Sequence, residues 1–245
     1  MDGVAVRADL EVTVQDWRAD VGRWWADVLR LPAAAIRAGG VYALDHVDHV
    51  GIVAVDGAAA PIVYGPPQVL PALQAAAPTD NGDLTEVSLL AAELGPRASR
   101  VLGPAWYGYA TAQTLGPSAP QAVRWLREPD LPLLAALHER TPPAEQEESG
   151  TTGLPAFGLV ENRELLSVAC LGTWQGMPTI GVLTDPRARG RGLAGMVVTA
   201  AAWEGLNRRS VVQYRAWRRN TASIAVAVRC GFTHYCDGAV IHLNP

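Results

Sequence analysis

The chain has 245 residues, more than most single domains contain, so we expect one large domain or two of modest size. Hydrophobic residues make up 49% of the chain and charged residues 18%, which supports a packed core and argues against disorder. The net charge of −4 gives no sign of a nucleic-acid-binding surface. The first residues lack a basic start followed by a long apolar run, and no run approaches membrane-spanning length. We therefore expect a cytoplasmic protein with no nucleic-acid or membrane partner.

The cysteines and one Asp/His segment are candidate metal ligands, but neither has the pattern of a metal site. The three cysteines, Cys170, Cys230 and Cys236, are too few for a disulfide framework and lie far from metal-site spacings. The segment Asp45–His49 could hold a metal ion, but it lies between two predicted strands and is more typical of a polar hairpin tip. We expect no metal.

Residues 1–118 predict a smaller α/β domain of unknown role. A helix is predicted over Asp16–Leu31, because apolar residues recur there at helical spacing and Pro32 follows. The other predicted elements are strands at Val41–Leu44, Val50–Val55, Ile62–Tyr64, Arg100–Leu102 and Trp106–Ala110, a helix at Pro66–Ala76 and a loop around Pro78–Gly82. The aromatic run Trp106–Tyr109 could line an acceptor pocket or form a packed sheet face.

A small, proline-rich linker is predicted at Gly116–Pro120, before a second α/β domain over residues 119–245. Its predicted elements are strands at Ala122–Leu126, Phe157–Val160, Leu165–Leu171, Thr179–Thr184, Val211–Arg215 and one ending near Leu243, and helices at Leu131–Arg140, Leu193–Asn207 and Thr221–Arg229. Asp130 is predicted to cap the first of these helices and Gly231 to end the last. The acidic run Ala144–Ser149 predicts a solvated turn, with attraction of a cationic amine as the alternative.

The loop within Thr184–Met196 interleaves arginines with glycines and leads into a helix. Its members are Arg187, Arg189, Gly190, Arg191 and Gly192. The helix is predicted to be anchored by one apolar stripe of Leu193, Met196, Val197, Ala200 and Trp203. Its first turn then presents free backbone N–H groups, and glycines let an anion approach them closely. A P-loop is excluded because the chain has no lysine. A dinucleotide-binding motif is excluded because this loop lacks the third glycine and the downstream acid of that motif.

Two segments resemble the GNAT superfamily of acyl-CoA-dependent N-acyltransferases. Arg189-Gly-Arg-Gly192-Leu-Ala194 is similar to that family's pyrophosphate loop, Arg/Gln-x-x-Gly-x-Gly/Ala, which follows a strand. The segment Asn220–Phe232 resembles its Asn-x-x-Ala/Ser…Gly-Phe segment, in the same order along the chain. The resemblance covers about Ala122–Leu243. It implies a mixed, mainly antiparallel sheet flanked by helices, with acetyl-CoA as co-substrate.

The resemblance also implies the residues that bind acetyl-CoA. The backbone of the loop would hold the pyrophosphate, the preceding strand would pair with the pantetheine arm like an added strand, and an asparagine would bind that arm from the far side. These residues are Val182, Leu183, Thr184, Arg189, Gly190, Arg191, Gly192, Leu193, Ala194, Gly195 and Asn220. Arg187 and Arg191 would add longer-range charge toward the nucleotide phosphates, or would simply be solvated.

The catalytic residues are not defined by the motifs. Family members often carry a tyrosine seven residues after the asparagine, as acid for the leaving thiolate, and here that residue is Ala227. Ser223, one helical turn earlier, and Tyr214 on the adjoining strand are the remaining donors, and Ser223 could instead bond free N–H groups at its helix start. Glu164 and His234 are candidate bases, with a turn residue and a packing histidine as the alternatives. We therefore favour departure of the thiolate without an acid.

The sequence predicts an N-acetyltransferase that moves the acetyl group of acetyl-CoA to a primary amine by direct attack. The acceptor would be a small molecule or a peptide, and a homodimer is left open. A non-catalytic acyl-CoA-binding sensor, favoured by Ala227, and an acyltransferase for longer chains are the alternatives.

Overall fold

The computed structural model describes residues 16–78, 87–117 and 122–244. The helices in these ranges are α1 Trp17–Leu29, α2 Ala35–Ala38, α3 Leu70–Ala76, α4 Val87–Leu94, α5 Leu131–Glu139, α6 Pro143–Ser149, α7 Leu193–Leu206 and α8 Thr221–Cys230. The strands are β1 Gly40–Ala43, β2 His49–Val55, β3 Ile62–Gly65, β4 Ala98–Ala110, β5 Val123–Leu126, β6 Ala156–Glu161, β7 Glu164–Trp174, β8 Met177–Thr184, β9 Val212–Trp217 and β10 Thr233–Leu243. Most of the loop predicted around Pro78–Gly82 lies outside the described residues. In the described part of the chain, every helix is too short or too polar to cross a membrane.

The described strands form one ten-stranded sheet in the order β1-β3-β2-β10-β4-β9-β8-β7-β6-β5. Neighbouring strands are antiparallel except for two parallel pairs, β1 with β3 and β8 with β9. The predicted mixed, mainly antiparallel sheet flanked by helices is therefore confirmed.

The predicted hairpin around Asp45–His49 is wrong. β1 pairs with β3 in parallel, and β2 lies between β3 and β10. Almost all of β2 is buried, as expected for a strand with neighbours on both sides, whereas no residue of β1 is fully buried. The short, less buried strand consequently takes the edge of the sheet.

The strands on the two sides of the predicted domain boundary are interleaved. β4 precedes the boundary yet lies between β9 and β10, and β10 also pairs with β2. The linker predicted at Gly116–Pro120 falls largely in residues 118–121, outside the described part. Both segments contribute to one sheet, and their division at 118/119 stays a prediction.

The two faces of β4 contact different helices. Trp106 packs into the core beneath α7, while Tyr107 and Tyr109 pack with α1 on the opposite face. The Tyr109 hydroxyl accepts a hydrogen bond from Trp25 Nε1 at 3.1 Å and from Gln213 Nε2 at 2.8 Å. All three aromatic side chains are buried, which confirms the packed-sheet interpretation of this run. The predicted helix over Asp16–Leu31 is confirmed as α1.

Asp130 precedes α5 as predicted but does not cap it. Its carboxylate instead accepts hydrogen bonds from the Arg127 backbone N–H at 2.9 Å and from the Arg124 guanidinium at 2.7 Å. Pro132 in the first turn of α5 already removes one free N–H group, so fewer donors there need a cap. Asp130 thus joins the start of α5 to β5.

Candidate functional site

A gap opens in the sheet between β8 and β9. These parallel strands pair only at Thr179 and Ile180 of β8. Beyond that point β8 keeps its pairing with β7 as far as Thr184, and β9 keeps its pairing with β4 as far as Trp217. Among the described strands, none pairs with the free edge of β8 over residues 181–184. The edge therefore offers backbone groups to an extended ligand, as an exposed strand edge does for a peptide.

A cavity of about 930 Å³ lies in this gap. It is bounded by β8, β9, α6, α8 and the loop before α7. Ten of the eleven residues predicted to bind acetyl-CoA line it, and they are Val182, Leu183, Thr184, Arg189, Gly190, Gly192, Leu193, Ala194, Gly195 and Asn220. Both weak catalytic candidates, Ser223 and Tyr214, line it as well. The fold thus brings together residues that lie up to 41 positions apart, and their ligand stays a prediction.

Two glycines shape the loop at the end of this cavity. Gly190 and Gly192 both have φ = +77°, a conformation that strongly favours glycine. A Cβ atom at either position would meet no heavy atom within 4 Å, so both backbones are open to the cavity. Gly192 is the N-cap of α7, and among the described residues no side chain bonds the first-turn N–H groups. A 14-residue helix therefore directs uncapped donors and its positive dipole end at the cavity.

The apolar face of α7 is wider than the predicted stripe. The structure buries Leu193, Val197, Val198, Ala201, Ala202 and Gly205, whereas Met196, Ala200 and Trp203 are only partly buried. The cause is that α7 lies flat against several strands, so two adjacent rows of small and branched side chains contact the sheet. The helix start is firmly anchored, as the prediction required.

Asp185 holds the loop to the rest of the domain. Its side chain is fully buried and accepts hydrogen bonds from the backbone N–H and guanidinium of Arg187 and, at 2.7 Å, from Arg140 Nε. Arg140 also donates to the Leu165 carbonyl at 3.0 Å. The hydrogen bonds from Arg187, and then the one from Arg140, hold the pKa of Asp185 well below its usual range despite burial. A buried carboxylate between two guanidinium groups thus fixes where the loop begins.

The three arginines of the loop have different positions. Arg187 is held by Asp185 and by Glu164, and Arg191 is held by Glu161 at 2.8 Å. Neither lines the cavity, and the predicted contribution of Arg191 to the binding site stays a prediction. Of these three arginines, Arg189 lines the cavity, where it pairs with Glu145.

A connected row of polar side chains crosses the cavity wall. The hydroxyl oxygens of Tyr214 and Ser223 lie 2.9 Å apart, one donating to the other. Asn220 Oδ1 accepts from the Ser223 backbone N–H at 3.0 Å, so Asn220 is the N-cap of α8. The expectation that the Ser223 hydroxyl bonds free N–H groups of its helix is therefore wrong, because the asparagine already occupies that role. Burial raises the pKa of Tyr214 to about 12, although its bond to Ser223 acts in the opposite direction.

The remaining catalytic candidates lie away from the cavity. Ala227 is fully buried in the core between α7 and α8 and does not line the cavity. Glu164 pairs with Arg187, and His234 stacks on Trp106 and lies 3.3 Å from Asp237. These contacts support the interpretation of Glu164 as a turn residue and of His234 as a packing histidine.

The acidic run predicted as a solvated turn is a helix, α6. It lies over β8, where the Ser149 carbonyl is so close to Gly181 that a Cβ there could not fit. Two of its carboxylates, Glu145 and Glu148, line the cavity. Sequence patterns did not reveal α6 because it is seven residues long, mostly polar and has no fully buried residue.

The segment Asp45–His49 shows no metal-like cluster. Asp48 and His49 pair with each other at 3.1 Å, and the His49 ring packs edge-on against Tyr64. In residues 16–78, 87–117 and 122–244, no three His, Cys, Asp or Glu side chains are grouped as metal ligands would be. The three cysteines are buried thiols.

Comparisons with known proteins return structures only. No protein-family profile matches the chain, and no curated protein matches it. It is similar to a GNAT-family acetyltransferase structure from Novosphingobium aromaticivorans (19% identity, 61% of this chain, 68% of the other, TM-score 0.48) and to one from Colwellia psychrerythraea (14%, 80% and 81%, TM-score 0.48). It is also similar to the ribosomal-protein-S18-alanine N-acetyltransferase of Escherichia coli (17%, 50% and 94%, TM-score 0.38). These identities are below 20% and these TM-scores are below 0.5, so the likeness assigns no function to this chain.

Proposed function

We propose that this chain binds acetyl-CoA in the cavity between β8 and β9 and transfers its acetyl group to a primary amine. The observation that carries the proposal is the meeting of two unsatisfied backbone surfaces in one cavity. One is the free edge of β8, and the other is the uncapped start of α7.

The residues present fit the two halves of CoA. The left-handed glycines and the first turn of α7 give a pyrophosphate close access to backbone N–H donors, with Arg189 beside them. The β8 edge suits the two amides of a pantetheine arm, which can pair like a strand. The Asn220 side chain has two amide hydrogens, and one of them is donated to Glu148. The other is available to the same pantetheine arm.

The reaction forms a C–N bond and breaks a C–S bond. An alkyl ammonium with a pKa near 10.4 first loses a proton to solvent, and the neutral nitrogen attacks the thioester carbonyl carbon. The attacking nitrogen, which now carries a positive charge, loses a second proton to solvent. The carbonyl then re-forms and the electron pair of the broken C–S bond leaves on sulfur as the CoA thiolate. Holding both reactants in one cavity supplies a large part of the rate enhancement.

The Tyr214–Ser223 pair supplies a hydrogen-bond donor for the departing sulfur. When Tyr214 donates to the Ser223 oxygen, the Ser223 hydrogen is free to point into the cavity. A donor placed where negative charge develops stabilises the transition state. This replaces our expectation of unassisted departure, because its argument required Ser223 to cap α8.

Incubating the protein with acetyl-CoA and a panel of primary amines should release free CoA thiol in an amine-dependent way. The release is followed with a thiol reagent, and the acetylated amine is identified by mass spectrometry. Thiol release that is independent of every amine, or absent while CoA still binds, would contradict the transferase proposal. The second result favours the sensor alternative, which the alanine at position 227 continues to support.

Ser223→Ala should lower turnover by about 100-fold, at the lower limit of what a proton-donating group contributes, with CoA affinity retained. Tyr214→Phe should have a smaller effect, and adding it to Ser223→Ala should cost little more, because the two hydroxyls act in sequence. Steady-state thiol release and a CoA titration of each variant measure both quantities.

Tyr42→Phe is the matched control for this pair. It removes a phenol hydroxyl that donates to the Gly39 carbonyl at 2.8 Å, outside the cavity, and should leave turnover unchanged. Turnover of Ser223→Ala within about threefold of the parent, against the ~100-fold expectation, would return us to unassisted departure.

A further inference from the structure

The cavity wall formed by α6 carries a carboxylate that is hydrogen-bonded to Asn220. Of the described residues that line the cavity, the acidic ones are Glu145 and Glu148. Glu145 pairs with Arg189 at the loop. Glu148 lies at the other end, where its Oε1 accepts from Asn220 Nδ2 at 2.9 Å.

Through Asn220, Glu148 is connected to the hydroxyl pair. Asn220 bonds Glu148 with its amide nitrogen and the Ser223 backbone with its amide oxygen, and the Ser223 hydroxyl bonds Tyr214. The four residues form one hydrogen-bonded row along the wall, which passes through both the backbone N–H and the hydroxyl of Ser223. A group bound at Glu148 therefore shares one cavity and one hydrogen-bonded row with the donors assigned to the departing sulfur.

The Glu148 carboxylate retains acceptor capacity. A carboxylate offers about four lone-pair positions, and Asn220 uses one of them. Arg219 forms an ion pair with Oε2 at 3.7 Å, too long for a hydrogen bond, and its guanidinium also lies over the Trp217 ring at 5.2 Å. The Glu148 side chain is only 17% exposed, so a cation bound there would be weakly screened.

We propose that Glu148 binds the acceptor as a protonated amine, so that the substrate class is a primary alkyl amine that is cationic at neutral pH. This inference rests on the proposed transferase function and names its acceptor. The ammonium donates to the free lone pairs of the Glu148 carboxylate. After one proton leaves to solvent, the neutral nitrogen keeps a hydrogen bond to the carboxylate and attacks the thioester carbon. A second proton then leaves the nitrogen to solvent, and the C–S bond breaks with its electron pair on sulfur.

Glu148→Gln should raise the KM for a primary alkyl amine by about tenfold or more, as expected for loss of a charge-assisted hydrogen bond. The KM for an aromatic amine, which is uncharged at pH 7, should change little. This difference separates recognition of charge from a merely structural role for the helix. Glu148→Asp should recover part of the loss for the alkyl amine.

Glu147→Gln is the matched control on the same helix. Glu147 pairs with Arg100 at 3.1 Å, is well exposed and does not line the cavity, so both KM values should stay at the parent level. Titration of the alkyl amine into the CoA complex, by calorimetry, gives a readout that does not depend on turnover.

The outcomes separate this inference from the function on which it rests. If the parent acetylates alkyl amines and Glu148→Gln keeps their KM, Glu148 does not bind the acceptor, although the transferase function stands. The same conclusion follows if Glu148→Gln tightens CoA binding without affecting the amine, since Glu148 would then only compete with CoA. If the parent neither acetylates an alkyl amine nor binds one in its CoA complex, both proposals fail.

Discussion

Replacing Gly192 with valine is expected to lower the affinity for CoA by at least about 100-fold, a loss of roughly 2.7 kcal/mol. The backbone there has φ = +77° and its Cα borders the open cavity at the start of α7. A branched side chain would occupy the space through which a pyrophosphate reaches the N–H groups, and it would strain the left-handed backbone. Calorimetric titration of the variant with CoA measures the effect.

Gly57→Val provides the matched control. Gly57 also has φ = +77° and no heavy atom within 4 Å of a Cβ position, but it lies outside the cavity. Both valines bear the same kind of backbone strain, of about 1–3 kcal/mol, so only the effect on CoA should differ. If Gly192→Val bound CoA as the parent does, the loop would be ordinary surface.

Asp185→Asn should destabilise the protein by about 3 kcal/mol, near the lower end of the range for breaking a buried ion pair. The lower end applies because Arg187 and Arg140 are partly exposed while Asp185 is not. The asparagine would place an NH₂ group against guanidinium donors and leave them without their shared acceptor. Urea denaturation of parent and variant measures the difference in free energy of unfolding.

Glu164→Gln is the control for Asp185. It removes an exposed partner of the same Arg187 and should cost less than about 1 kcal/mol. An equal loss in the two variants would contradict the assignment of loop anchoring to the buried carboxylate.

The effect of Asp185 should depend on pH in a defined direction. Its pKa is lower in the folded state than the ordinary value of 3.8, so its contribution to stability is complete above about pH 5. The contribution declines as the pH falls below 3.8 toward the folded-state pKa, because the unfolded chain then binds the proton first. The stability difference between parent and Asp185→Asn should therefore be constant from pH 5 to 8 and smaller at pH 3. A difference that grew toward pH 3 would contradict this account.

Local sequence signals predicted the parts of the site that depend on neighbouring residues. Glycines at 190 and 192 after a strand mark the loop, and Gly231, with φ = +102°, marks the end of α8. These features follow from backbone conformations and helix caps, which a short segment specifies by itself.

Features that depend on distant pairing were not predictable in the same way. The ion pair between Arg140 and Asp185 joins positions 45 residues apart, and neither position alone indicates the other. The parallel pairing of β1 with β3 depends on where each strand lies in the complete sheet, which the sequence of one strand does not indicate. The Ser223 hydroxyl was assigned to its own helix because the contact with Tyr214 exists only after β9 and α8 pack together.

Calorimetric titration of the parent protein with CoA tests the central claim most directly, because every proposed role depends on CoA binding between β8 and β9. We predict one site per chain, a micromolar dissociation constant and a rise in melting temperature, since a ligand that binds only the folded state stabilises it by about 2.7 kcal/mol at 100 times its dissociation constant. The absence of both heat and a melting shift at millimolar CoA would contradict the account.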